Sequence, residues 1–165
     1  MMSRCTLGML GLLVLGSLAL ACVDDPGGST CGPSQGVVAH VVDGDTIDLE
    51  SGERIRYLLI DTPESTTTTE CWGPEAKQAN QMLVEGKTVT LEYDVECEDK
   101  YGRLLAYVSV GEQEINQVLL ERGYACVLHI PPNGDDRIDE YESIEYAAQM
   151  LDKGLWAACD PNPCQ

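Results

Sequence analysis

Positive charge is scarce in this 165-residue chain: ten Lys and Arg stand against twenty-eight Asp and Glu, a formal net charge of −18. That balance argues against a partner held on a broad basic face, and predicts a body that repels nucleic acid and anionic membrane. Zinc-knuckle spacing is missing among the eight cysteines, and only two histidines are present, which weakens any metal reading of the cysteines. There is no internal repeat, so a solenoid is excluded. Nor is there a long apolar run. The longest, residues 10–20, holds only Leu, Gly, Val, Ser and Ala and is too short to span a bilayer comfortably.

That short run follows Arg4 and ends at Ala19-Leu20-Ala21-Cys22, the layout of a secretory signal with a small-x-small cleavage site. It also resembles a bacterial lipobox, whose cysteine becomes the acylated first residue. Lipoboxes carry Leu three places before the cysteine; here Leu18 sits four before. Cysteine parity bears on the choice. Cys5 leaves with the signal. If Cys22 is lipidated, Cys31, Cys71, Cys97, Cys126, Cys159 and Cys164 remain, an even set that reads as three disulfides in an exported domain. If Cys22 is free the count is odd. Parity favours a membrane-anchored lipoprotein over plain secretion. Position along the chain suggests Cys71 with Cys159, Cys31 with Cys164 and Cys97 with Cys126.

The expected organisation is a signal peptide over residues 1–21, a Gly/Pro/Ser-rich tether over 22–35 and one domain over 36–165. Alternation predicts strands around residues 37–42 and 47–49, split by "DGD", and a third over 55–60 after "SGE". Pro74 suits the first turn of a helix running to Glu85. Residues 89–93 and 104–110 alternate as strands four and five, with "ECEDKYG" a polar loop between them. Short and long helices follow near 115–122 and 138–151, with an extended stretch over 124–128 between them. Five principal strands with a helix after the third is the layout of an α+β protein built on an OB-fold, a five-stranded barrel with three helices.

Asp45 opens the second strand and Asp61 is expected to close the third. Antiparallel neighbours place those ends side by side, so the two carboxylates can meet and hold a hard cation. Asp43 and Asp45 serve an ordinary Asp-Gly hairpin turn equally well. Arg56 stands in a strand of apolar neighbours. It reads as a rim arginine or as a bidentate phosphate clamp. Arg103, beside a Gly turn, carries the same two readings.

Taken together, "DGDT", "RYLLIDTPE", "GPEA" and "DKYGRLLAY", in this order and spacing, closely resemble the thermonuclease family over residues 38–156. The resemblance implies an OB-fold barrel with three helices and a Ca²⁺-dependent phosphodiesterase acting on DNA and RNA. It implies that Asp45, Asp61 and the Thr62 carbonyl bind calcium, with Asp43 behind them. It implies that Glu64 orients or activates the attacking water, that Arg56 and Arg103 grip the phosphate, and that Lys100 and Tyr101 lie beside the nucleotide. Nucleic acid is then the substrate, a lipid anchor at Cys22 the link to membrane, and the protein a monomer. Two stretches depart from the family. The loop after Glu64 reads "STTTTEC" and carries no base. In "VLHIPPN", His129 falls where a tyrosine usually serves the base pocket, either stacking there or lying on the surface. The alternative is a non-catalytic OB-fold module that binds nucleic acid or protein at the cell envelope, or an envelope protein that interacts through its acidic face. Decayed sites normally lose some of the key residues, and Asp45, Arg56, Asp61, Thr62, Glu64 and Arg103 are all present here.

Overall fold

The computed structural model describes residues 31–164. The signal segment, Cys22 and most of the tether lie outside them. Strands β1 (Gln35–Asp43), β2 (Thr46–Leu49) and β3 (Arg54–Tyr57) form an antiparallel meander. Helix α1 (Gly73–Val84) follows, with Pro74 in its first turn, where a missing N–H costs nothing. Strand β5 (Thr88–Glu98) then pairs with β1 and with β6 (Leu104–Val110). Parallel pairing of β3 with β6 closes the ring, setting Ile55 beside Leu104 and Arg56 beside Leu105. The result is a closed five-stranded barrel of the OB type, α+β in class. The short β7 (Gln113–Glu114) extends the sheet at its edge.

Alternation explains the interior. Val38, Val41, Ile47, Ile55, Tyr57, Val89, Leu91, Ala106 and Val108 are all buried, each from the inward face of its strand. Helix α2 (Ile115–Glu121) lays Ile115, Leu119 and Leu120 against this core. Helix α3 (Ile138–Met150) contributes Tyr141 and Ala148. No helix among the described residues is long and apolar enough to cross a membrane.

Four features correct the sequence reading. The third strand stops at Tyr57; residues 58–59 turn, with Leu59 at a φ of 60°. Ile60 and Asp61 form a separate strand, β4, which leaves the barrel to pair with β8 (Cys126–Val127). Asp61 therefore does not close strand three. Second, β5 runs on through Glu98, so half of the expected polar loop is strand. Glu96 is held there by Asn133, whose amide accepts from Glu96 N at 2.7 Å and donates to Glu96 O at 2.9 Å. Third, the described residues contain a fourth helix, α4 (Leu155–Ala158), which buries Leu155.

Fourth, the bridges are Cys31–Cys97, Cys71–Cys159 and Cys126–Cys164. The pair expected across Cys71 and Cys159 is present. The other two partners are exchanged: Cys164 follows α4 back to β8, while Cys31 reaches the end of β5, their Cα atoms 5.1 Å apart. The last residues assigned to the tether are consequently fastened to the barrel. Tyr93 donates to Pro33 O at 2.9 Å, and Leu91 N to Ser34 O at 2.8 Å.

Candidate active site

The turn between β3 and β4 sets the site. Arg56 leaves β3 on the face opposite Ile55 and Tyr57 and is covered there, its side chain only 10% exposed. Its Nη1 donates to the carbonyls of Tyr57 and Ile60, each at 2.6 Å. Its Nη2 donates to Asp61 Oδ1 at 2.6 Å and lies 3.2 Å from Asp45 Oδ2. Three hydrogen bonds and the ion-pair contact with Asp45 thereby occupy both Nη nitrogens, leaving Nε–H. A buried guanidinium needs such partners, and here they are the turn's own carbonyls and the two acids that flank it.

Asp45 is buried. Its Oδ2 also accepts from Thr62 N at 2.9 Å and Thr62 Oγ1 at 3.2 Å, while Oδ1 accepts from Thr46 Oγ1 at 2.9 Å. This contact fastens the chain after β4 to the β1–β2 hairpin. It needs Gly44: a Cβ there would meet Thr62 Oγ1 at 2.6 Å. The glycine of "DGD" thus serves close approach. Asp43, also buried, turns the other way. It accepts from Gly44 N at 2.9 Å, Ser65 Oγ at 2.7 Å and Thr66 Oγ1 at 3.3 Å, and so holds the loop that carries Glu64. The Asp43 carbonyl accepts from Asn80 Nδ2, and Asn80 Oδ1 accepts from Tyr57 OH at 3.0 Å.

Glu64 is exposed, with its backbone locked to Glu70: Glu64 N donates to Glu70 Oε2 at 2.9 Å and Glu70 N to Glu64 O at 2.8 Å. Desolvation first, then the charges of Asp43, Asp45 and Asp61, push its carboxyl above the ordinary glutamate value. Asp61 is also pushed up, by desolvation and by Asp45 and Glu70, against the pull of Arg56. Five acids, Asp43, Asp45, Asp61, Glu64 and Glu70, thus share one small region with a single guanidinium. The ligand chemistry fits a hard divalent cation: all donors are oxygens, no His or Cys intrudes, and Asp61 Oδ2 has no partner among the described residues.

On the other side of Arg56 opens a cleft of about 450 Å³ whose lining includes Arg56, Arg103, Lys100, Tyr101, Leu105, Leu128 and Ile130. The β3–β6 closure brings Arg103, one residue before β6, to the same wall as Arg56. Tyr101 is 72% exposed at the rim, with Lys100 Nζ 5.0 Å and Arg103 Cζ 5.5 Å from its ring centre. His129 is directed elsewhere, with Nε2 2.9 Å from Asp135 Oδ1; its neighbours Leu128 and Ile130 line the cleft instead.

All nine of the residues read as active-site candidates therefore fall in one connected region: Asp43, Asp45, Asp61, Thr62 and Glu64 on one side of Arg56, and Lys100, Tyr101 and Arg103 on the other, along the cleft, with Ser65 and Thr66 added by their grip on Asp43. The sequence reading missed Asn80, Glu70, Asp99 and Asn133, which position others. Only Asp99, four residues before Arg103 across a Gly turn, left a sequence signal.

The family model described as "Staphylococcal nuclease homologue" matches residues 54–158. A thermonuclease of Staphylococcus intermedius is 36% identical over 126 residues, which cover 73% of this chain and 74% of that protein. The SPbeta prophage-derived endonuclease YokF of Bacillus subtilis strain 168 is 37% identical over 125 residues, 72% of this chain. Endonuclease YncB of the same organism is 36% identical over 125 residues. The alignments span only 42% and 59% of those two Bacillus proteins.

Proposed function

Because this chain belongs to the family of staphylococcal nuclease homologues, we propose that it is a calcium-dependent hydrolase cutting phosphodiester bonds in DNA, RNA or both, as an endonuclease. One observation carries the reading: Arg56 is shared between the acid group of Asp45, Asp61 and Glu64 and the cleft that Arg103 lines. A cation site and a phosphate site then adjoin through one side chain.

Asp45, Asp61 and the Thr62 carbonyl would hold Ca²⁺, which when bound supplies positive charge against a phosphoryl oxygen and a place for water. Glu64, exposed and with a raised proton affinity, orients the attacking water or takes its proton. Attack builds negative charge on the phosphorus oxygens. Arg103 and Arg56 offer donors to that charge, and donors stronger toward the transition state than the ground state raise the rate. Tyr101 and Lys100 flank the nucleotide at the rim. Asp43 keeps Glu64 in reach through Ser65 and Thr66. Against a non-catalytic binding module stands the mutual engagement of Arg56, Asp45, Asp61 and Thr62, which a decayed site has no reason to keep.

Export belongs to the same reading, with an acylated Cys22 tying a monomer to the envelope; an intact-mass spectrum lacking acyl chains would remove the anchor. The test of activity is incubation of the purified protein with labelled DNA and RNA, in calcium, magnesium or chelator. Cleavage in calcium, little in magnesium and none in chelator is expected, because magnesium holds its waters and demands tighter geometry. Glu64→Gln and Arg103→Ala should each lower turnover by about a hundredfold or more. Equal rates in the two metals would sink the calcium assignment, and full activity in a folded Glu64→Gln protein would sink the role of Glu64.

A further inference from the structure

The two arginines of the site are held in opposite ways. Arg56 has both Nη nitrogens committed, as described above. Arg103 is held along one edge: Nε donates to Asp99 Oδ2 at 2.7 Å, and Nη2 lies 2.6 Å from the same oxygen. These two groups form one edge of the guanidinium. Three N–H groups face away from Asp99, two on Nη1 and one on Nη2; one from each nitrogen makes up the end-on edge. That edge is free among the described residues, on a residue that lines the cleft.

Asp99 is built to hold this pose. Its other oxygen, Oδ1, accepts from Tyr101 N at 2.9 Å and from Arg103 N at 3.0 Å. The backbone closes the same turn, with Asp99 N donating to Arg103 O and Gly102 N to Asp99 O, each at 3.0 Å. Gly102 sits at a φ of +77°, which the turn requires and a side chain would resist. One carboxylate thus fixes both the backbone that launches Arg103 and the head group at its far end. Desolvation alone would raise the Asp99 carboxyl, yet the hydrogen bonds from Arg103 and Tyr101 bring it below the ordinary aspartate value, so it stays ionised.

We propose that Asp99 is the positioning residue for Arg103, holding the guanidinium side-on so that its end-on edge is presented to a phosphate oxygen of the substrate. The proposal rests on the nuclease reading for its catalytic consequence and on geometry for the pose. An aspartate in this place gives up part of the arginine's field and gains orientation. Orientation wins where charge develops at one place only, since a misplacement of about 1 Å can cost about a hundredfold in rate. It also divides the labour between the arginines: Arg103 meets substrate with three ready donors, while Arg56 offers Nε–H until its acids release it.

The experiment combines single and double variants with a spectroscopic readout. Asp99→Ala should lower kcat about ten- to a hundredfold with KM changed less than about threefold. Asp99→Glu should recover part of the loss. In an Arg103→Ala background, Asp99→Ala should change kcat less than about twofold, since its partner is already gone. Losses that multiply in the double variant, or a kcat within twofold of wild type in Asp99→Ala, would overturn the proposal. If Asp99→Ala does not fold, Asp99→Asn replaces it: the amide oxygen keeps the turn's acceptor, the charge is lost, and kcat should still fall at least about fivefold. Independently of activity, the Arg103 Nε–H signal in the wild-type protein should be protected from exchange with water, and exposed in Asp99→Asn. Equal exchange in both would reject the pose. Should the wild type cut nothing while its Arg103 signal is protected, the nuclease reading falls and the positioning geometry stands.

Discussion

Arg56 and Asp61 are joined at 2.6 Å, and the same guanidinium nitrogen stands 3.2 Å from the buried Asp45. Arg56 is thus the positive charge that the acid group keeps for itself. Arg56→Ala leaves Asp45 buried without it and the carbonyls of Tyr57 and Ile60 without a donor. Removing one partner of a buried pair costs about 3 kcal/mol or more. A cation between the carboxylates should replace part of that charge, and a ligand that binds only the fold stabilises it. Calcium is therefore expected to raise the melting temperature of Arg56→Ala by more than it raises that of wild type. Equal or smaller stabilisation of the variant would show that Arg56 does not compete for the place of the ion.

Gly73 has no room for a side chain. A Cβ there would collide with the Glu64 carbonyl and lie 2.9 Å from Pro63 O. Both obstacles are backbone, which cannot swing aside. Gly73→Ala should therefore displace Glu64 itself, cutting turnover about tenfold or more. Overpacking of this kind costs about 1–3 kcal/mol of stability. The informative comparison is with Gly86→Ala, whose added Cβ meets nothing within 4 Å. It should strain only its own turn, where φ is 72°, and leave turnover unchanged in the folded protein. Similar activity losses in both would remove the claim that Gly73 acts through Glu64.

Glu145 on α3 accepts from Val127 N at 2.7 Å and is half-buried. Burial raises its carboxyl above the ordinary value, against the hydrogen bond that lowers it. A carboxyl raised in the fold favours the fold while protonated, and that contribution is lost as pH rises through the folded value. Glu145→Gln keeps an acceptor for Val127 and removes the buried charge. It should unfold at higher urea concentration than wild type at pH 7. The gap should close as pH falls below the unfolded glutamate value of about 4.3. A gap that widens on acidification would reverse the sign.

The acid excess bears on substrate capture. With Arg56 and Arg103 assigned to the phosphate, few of the ten Lys and Arg remain for neighbouring phosphates. The Debye length shrinks from about 30 Å at 0.01 M salt to about 10 Å at 0.1 M, so repulsion between body and DNA fades over that range. Initial rates at sub-saturating DNA and saturating calcium should stay flat or rise before declining. Lysines placed at the exposed residues 67–69, which leave Thr66 on Asp43, should lower KM and restore a falling salt dependence. A steep fall in the wild-type rate from the lowest salt onward would reveal a local basic track.

Where the sequence was legible, a period marked it. Ile47 and Leu49 alternate and are buried, as are Ile55 and Tyr57, and a register shift in β1 brings both Val38 and Val41 to the core; Asp43 and Asp45 fall at the ends of the first two strands. The break after Tyr57 was illegible because residues 58–60 are apolar on both faces and no glycine marks Leu59. Distant groups hold that turn: Asn116 Nδ2 donates to Leu58 O at 2.9 Å, Arg56 to Tyr57 O and Ile60 O, and Leu128 N to Leu59 O. The extension of β5 was hidden likewise, since Val95 and Glu96 are exposed and it is Asn133 that keeps Glu96 in line. The disulfide exchange had no local signal, because pairing follows where α4 and β5 end in space.

The parallel seam between β3 and β6 also has a meaning in time. It joins residues 55–57 to 104–106, and contacts so far apart in sequence form late, after the loop between them has been closed. Arg56 arrives with one side of that seam and Arg103 with the other. Before the seam closes, the acids of the first hairpin have one arginine and no facing wall. On refolding from denaturant with bridges intact, catalytic power should return with the last structural phase, not with the first appearance of strand signal.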